Sequence, residues 1–218
     1  MPAKTKPTAL KLELPLLATV CGRRGSGKTT LVRFLLRTIA RGGQIRDVWV
    51  FTSTAFTGDW GRTVGEKRVY ENFDEELLDG ILQKQAAARA AGRPNEALLI
   101  LDDVLGSMSF TSAVWKLLAS TGRHYNLSVI LVSQHYHAVP PLVRLNSDYF
   151  MMLGPTSERA WRSAYQEFAP TKTWQELKAA GEKAVGPLGQ ALVVDQRSPP
   201  HLKVIRAPPP SQLDFRIS

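Results

Sequence analysis

Long hydrophobic runs are missing from this chain. No stretch approaches the roughly eighteen uninterrupted apolar residues that a membrane-spanning helix requires, and the lysine-bearing start, Met1 to Pro15, lacks the continuous apolar segment of a secretory signal. Neither membrane insertion nor export by that route is expected, and the chain reads as soluble. Cysteine is almost absent. The single Cys21 excludes an internal disulfide, and its place in an apolar run marks it as a small core residue, which fits a reducing compartment. Zinc-ligand spacing is also missing, because His135-x-His137 has no cysteine or histidine partners at the required intervals. No internal repeat is visible, and low complexity is confined to the Ala-rich run Gln85 to Ala91.

What the chain does have is material for a core. Its 218 residues are 44% hydrophobic, enough for one sizeable domain. The formal charge of +9 is uneven: residues 1–13 carry three lysines against one glutamate, and residues 197–218 carry four basic residues against one aspartate. Together with Pro2, Pro7, Pro199, Pro200, Pro208, Pro209 and Pro210, these ends read as mobile basic arms that find polyanions or simply aid solubility. The expected division is a basic N-terminal arm at 1–14, a folded domain at 15–196 and a Pro-rich basic tail at 197–218.

Short apolar runs at Leu16–Val20, Asp47–Thr52, Ala97–Leu101, Ser128–Val132 and Tyr149–Leu153 read as buried strands. Between them Lys28–Ala40, Glu75–Ala91, Thr111–Thr121 and Pro141–Asn146 carry helical patterns. Strands alternating with helices predict an α/β fold with a mostly parallel sheet. Helices are expected at Ser157–Glu167 and Thr173–Lys183, and a short β extension at Gln190–Asp195 and Leu202–Arg206, whose pairing the pattern leaves open.

Gly22-Arg23-Arg24-Gly25-Ser26-Gly27-Lys28-Thr29 matches G-x-x-x-x-G-K-[ST] in full, between a predicted strand and a predicted helix that continues through Thr30. The glycines let backbone N–H groups converge on phosphate oxygens, the helix adds its positive end, Lys28 reaches the β/γ-phosphates, and Thr29 offers a hydroxyl to Mg²⁺. ATP and Mg²⁺ are the implied ligands. The run Ala97 to Leu101 followed by Asp102 and Asp103 completes a Walker B pattern: Asp102 is expected to serve the metal and Asp103 to activate water as general base. Ser128–Val132 leads into Ser133-Gln134. In P-loop folds with an extra strand between the Walker A and Walker B strands, a polar residue there can sense the γ-phosphate, and Gln134 fits; the alternative is a polar residue that merely closes its strand. Arg123 precedes that strand and is either a finger reaching a neighbour's γ-phosphate or a cap on the preceding helix.

Taken together, these motifs resemble the FtsK–HerA superfamily of DNA-pumping ATPases, in its viral genome-packaging branch typified by poxviruses and other large or membrane-containing DNA viruses. The resemblance covers roughly residues 16–153. It rests on the P-loop, on Leu98 to Asp103 and most specifically on Gly122 to Gln134, with Arg144-Leu145-Asn146-Ser147 ahead of the next strand. It implies a three-layer P-loop NTPase that hydrolyses ATP to move double-stranded DNA, assembles as a homo-oligomeric ring, meets capsid or vertex proteins, and works in the virion or at the infected-cell assembly site. It assigns Gln134 as sensor and Arg123 as trans finger, with Arg144 the second finger candidate. One departure is Asp103, where many members of the wider superfamily carry Glu. Candidate DNA contacts are the stripe Arg33, Arg37 and Arg41, which could also be a solvated face, and the loop Ala55–Gly65 with Phe56, Trp60 and Arg62, which could equally meet a partner subunit. Two rivals remain open on the same motifs: a small-molecule kinase, for which Arg159 and Arg162 would be lid residues, and a switch that binds ATP without pumping.

Overall fold

Strands that are apolar along their whole length can be buried only at the centre of a sheet covered on both faces. The computed structural model has that architecture; it describes residues 10–43, 45–57, 59–92, 95–108, 112–154, 157–168, 173–184, 188–197 and 201–217. The elements in chain order are β1 (Leu17–Gly22), α1 (Lys28–Arg41), β2 (Ile45–Thr52), α2 (Asp59–Val64), β3 (Val69–Tyr70), α3 (Glu75–Ala90), β4 (Glu96–Asp102), α4 (Ala113–Thr121), β5 (Leu127–Ser133), α5 (Pro141–Asn146), β6 (Tyr149–Leu153), α6 (Glu158–Phe168), α7 (Trp174–Ala184), β7 (Gln190–Asp195) and β8 (His201–Arg206). One eight-stranded sheet runs in the order β3-β2-β4-β5-β1-β6-β7-β8. It is parallel from β3 to β6, and antiparallel where β7 joins β6 and β8 joins β7. The fold is therefore α/β with a mostly parallel sheet, and β5 stands between β1 and β4 as expected. The last two strands both pair with each other and extend the sheet.

Alternate side chains of each strand feed opposite layers. On one face Leu99, Leu101, Val129 and Leu131 pack under α3, α4 and α6 through Leu78, Trp115 and Phe168. On the other, Val20, Leu98, Ile100 and Val132 meet Leu31, Leu35 and Ile39 of α1 and Trp60 of α2. Side chains cap helix starts: Asp74 accepts the N–H of Leu77 at 3.0 Å ahead of α3, Ser112 that of Trp115 at 3.1 Å ahead of α4, Ser157 that of Ala160 at 3.2 Å ahead of α6 and Thr173 that of Glu176 at 3.2 Å ahead of α7.

Two expectations are corrected here. The described part of the C-terminal stretch is not a mobile arm. β8 forms the sheet's edge, and beyond it Leu213 is fully buried while Phe215 and Ile217 pack against the α1 layer. Arg33 and Arg37 of α1 donate to the carbonyls of Leu213 and Gln212, so these two arginines fasten the chain's end, and Arg41 alone of the stripe is exposed. Residues 1–9 of the expected N-terminal arm lie outside the described residues; Leu10 is buried in the core. The second correction concerns Ala55–Gly65. It holds α2, whose Trp60 is only 2% exposed and therefore cannot contact DNA, while Phe56 is 81% exposed.

Candidate functional site

Parallel strands present their C-terminal ends along one edge, so β1, β4 and β5 bring their last residues together. The loop after β1 turns tightly because Gly25 and Gly27 take φ values of +75° and +89°, a region that residues with a Cβ rarely enter. Gly27 is also sterically required, since a Cβ there would stand 2.4 Å from the amide nitrogen of Gly189. Gly189 donates that N–H to the Ser26 carbonyl at 3.1 Å, keying the start of β7 against the loop. Lys28 folds back, its Nζ donating to the carbonyls of Gly22 at 2.8 Å and Arg23 at 3.1 Å. Burial pulls its ammonium below the usual lysine range, while Asp103 and Asp102 pull the other way.

Asp102 is 5% exposed at the end of β4. Its Oδ2 accepts from Thr29 Oγ1 at 3.3 Å and from Trp60 Nε1 at 3.0 Å. Burial raises its pKa, the two hydrogen bonds oppose that, Asp103 adds to it and Lys28 opposes it. Asp103 adopts φ +60°, an unusual backbone for a residue with a Cβ but one that Asp tolerates, and its N–H continues the ladder to the Val132 carbonyl at 3.3 Å. In that conformation its exposed carboxylate meets Gln134, whose Nε2 donates to Asp103 Oδ2. Arg24, Gly25, Gly27, Lys28, Thr29, Thr30, Asp102, Asp103 and Gln134 line one cleft of about 580 Å³, together with Thr54 and the exposed Leu188. That volume suits a nucleotide. Arg23 and Gly22 instead line a neighbouring cleft of about 470 Å³, with His135 and His137 at its wall. Among the described residues no cluster of three or more His, Cys, Asp or Glu could hold a metal by itself.

The two arginine candidates part company. Arg144, the second finger candidate, has its donors engaged inside the fold, the geometry of an internal strut. Only 8% of its side chain is exposed, and Nε and Nη2 grip the Glu167 carboxylate at 2.7 and 2.6 Å. Nη1 donates to the Val139 carbonyl, and the guanidinium lies 4.7 Å from the Tyr136 ring centre. Arg123 is half exposed, with a loose 3.4 Å contact to Asp148. It precedes β5, so the seven residues of that strand separate it from its own cleft by about 20 Å at roughly 3.3 Å per residue. Of the arginines expected in a kinase lid, Arg162 is paired with Glu158 at 2.7 Å and stacked 4.9 Å from Trp174, while Arg159 is exposed.

Sequence reasoning missed Trp60 as a partner of Asp102, Glu167 as the anchor of Arg144, and the packing of Gly189 against the P-loop. Each contact joins residues tens of positions apart or more, and no local spacing signals it.

A family model described as Poxvirus A32 protein matches residues 9–159. The uncharacterized protein 075L of Invertebrate iridescent virus 6 is 30% identical over 159 residues, covering 69% of this chain and 58% of that protein. The DNA packaging protein OPG160 of Vaccinia virus (strain Copenhagen) is 29% identical over 147 residues, covering 64% of this chain and 53% of that one. The chain thus spans only somewhat more than half the length of these curated relatives. Among solved structures, the genome packaging NTPase B204 from Sulfolobus turreted icosahedral virus 2, in complex with AMPPCP, superposes with a TM-score of 0.66 at 14% identity. It covers 90% of this chain and 100% of its own, a likeness of fold.

Proposed function

The chain belongs to the poxvirus A32 protein family, and on that premise we propose that it is an ATP-hydrolysing translocase that packages a viral double-stranded DNA genome into a capsid. The observation that carries the reading is the convergence of Lys28, Thr29, Asp102, Asp103 and Gln134 on one cleft.

ATP enters with its phosphates against the backbone N–H groups of the loop and the first turn of α1. Lys28 exchanges the Gly22 and Arg23 carbonyls for phosphate oxygens, a trade that favours binding because those carbonyls are neutral. Mg²⁺ fits the donor set, since a hydroxyl and a carboxylate 3.3 Å apart match an ion that keeps its waters and takes its other ligands from phosphate. Thr29 and Asp102 would hold it, and it would supply charge neutralisation on the transferring phosphoryl group. Asp103 accepts the proton of the attacking water as the bond to the γ-phosphorus forms and ADP leaves. Gln134, hydrogen-bonded to Asp103, would exchange that partner for the γ-phosphate or the water, which would link nucleotide state to the loop after β5. Arg123, remote from its own cleft and exposed, completes the cleft of a neighbouring copy, so hydrolysis belongs to a ring and DNA is gripped mainly at its phosphates. Capsid or vertex proteins receive the ring at the virion assembly site, and the basic N-terminal residues 1–14 add to the contacts with DNA.

The test is steady-state ATP hydrolysis over a range of protein concentrations, with and without double-stranded DNA. The expected result is a steeper-than-linear dependence on concentration and stimulation by DNA. Arg123→Ala and Asp103→Ala should each lose about 10³-fold in rate, and activity should return when the two are mixed. A rate proportional to concentration and indifferent to DNA would overturn the motor reading.

A further inference from the structure

The carboxylate assigned to the metal is gripped by a residue from an element that sequence patterns read as a loop. Trp60, in α2, and Asp102 are both almost excluded from solvent, and the indole N–H meets Asp102 Oδ2 at 3.0 Å. A buried indole needs only one acceptor, and a backbone carbonyl would have served; a carboxylate is a stronger, charge-assisted partner. Thr29 Oγ1 donates to the same oxygen from the first turn of α1. The two donors therefore converge from two different helices.

The segment from Gln212 to Ile217 contacts both of those helices. Arg33 and Arg37 of α1 hold the carbonyls of Leu213 and Gln212, while the N–H of Ile217 donates to the Thr63 carbonyl of α2 at 2.9 Å. Phe215 and Ile217 pack on the cluster that contains Trp60 and Val64. We propose that Trp60 is a positioning residue for Asp102, and that the segment from Gln212 to Ile217 holds Trp60 in register with the P-loop helix. The proposal rests on the ATPase reading above. It names a residue that acts through the carboxylate and a terminal segment on which the site's geometry depends.

The experiment compares wild type with Trp60→Phe and with a chain carrying benzothienylalanine at position 60, which keeps the shape of the indole and replaces its N–H by sulfur. Binding of a fluorescent ATP analogue is followed across a Mg²⁺ titration and in EDTA, beside kcat and KM for hydrolysis and a urea unfolding midpoint. Both variants are expected to need about 10-fold more Mg²⁺ for half-maximal binding, the size typical of lost partners to metal-holding groups, with binding in EDTA unchanged. Phe215→Asp, which undocks that segment, is expected to shift the Mg²⁺ midpoint in the same direction. If Trp60→Phe fails to fold, the sulfur isostere decides. Folded variants with the wild-type Mg²⁺ midpoint and kcat overturn the proposal while leaving the ATPase reading intact. A wild-type chain that binds no nucleotide at any Mg²⁺ concentration overturns the ATPase reading and this inference with it.

Discussion

Replacing Arg144 by alanine separates a strut from a finger. The side chain is 8% exposed and makes two charge-assisted hydrogen bonds to Glu167, one to the Val139 carbonyl and a stacking contact with Tyr136. Removing one partner of a buried ion pair costs about 3–5 kcal/mol, largely because the other charge is stranded. Glu167 is 24% exposed and recovers some hydration, so the lower end, about 3 kcal/mol, is expected. In a domain of this size that corresponds to a fall of about 6–12 °C in Tm. Arg144→Lys keeps the charge but not the planar fork, and should fall in between. Urea unfolding at neutral pH gives the stability. The ATPase rate of Arg144→Ala, alone and mixed with Asp103→Ala, reports any role in trans. Arg144→Ala that unfolds within about 0.5 kcal/mol of wild type, yet is inactive and rescued by mixing, would refute the strut and restore Arg144 as a finger.

The same pair gives a pH dependence. Burial pushes the Glu167 carboxyl up, but the Arg144 and Tyr136 hydrogen bonds and the Arg144 charge outweigh it, leaving the carboxyl below its ordinary value of 4.5. A depressed carboxyl contributes stability that is fully present above 4.5 and lost as the pH falls through the lower folded value; Glu167→Gln should therefore flatten the fall in stability below 4.5, read by urea unfolding at successively lower pH. At Gly27, alanine must accept φ +89° and a Cβ 2.4 Å from the Gly189 nitrogen, whereas at Gly25 it meets φ +75° with nothing within 4 Å. Gly25→Ala should lose only about 1–2 kcal/mol, and Gly27→Ala should lose nucleotide binding as well, read by titration with a fluorescent ATP analogue.

What could be read from the sequence was whatever closes locally. The P-loop works through amides within eight consecutive residues, and Asp102 and Asp103 follow directly from the strand that carries them, so spacing alone located them. Strands β1, β2, β4, β5 and β6 announced themselves as apolar runs because both their faces are buried. α2 did not, since six residues with a central Gly61 show no period, and its glycine- and threonine-rich surroundings argued for a loop. The end of the chain was misjudged for a related reason: proline and charge dominated its composition, while the alternation of Leu213, Phe215 and Ile217, which gives the segment a face to bury, is too brief to stand out.

The arginines show the limit most sharply, because spacing carries no information about burial. Arg144 and Arg123 both precede a strand of the central sheet, and from the sequence both are finger candidates. One has its donors committed inside the fold, through a glutamate twenty-three positions away. The other, among the described residues, has a long side-chain contact to Asp148, whose carboxylate is already shared with Arg197 and the Leu17 amide. Asp148 is buried and keeps those two partners if Arg123 leaves, and the 3.4 Å contact engages a guanidinium that is half exposed, so Arg123 is only loosely held. Its own cleft lies at the far end of β5, beyond the reach of an arginine side chain. Under the proposed motor reading, the γ-phosphate that Arg123 would meet is one held by another copy of the chain.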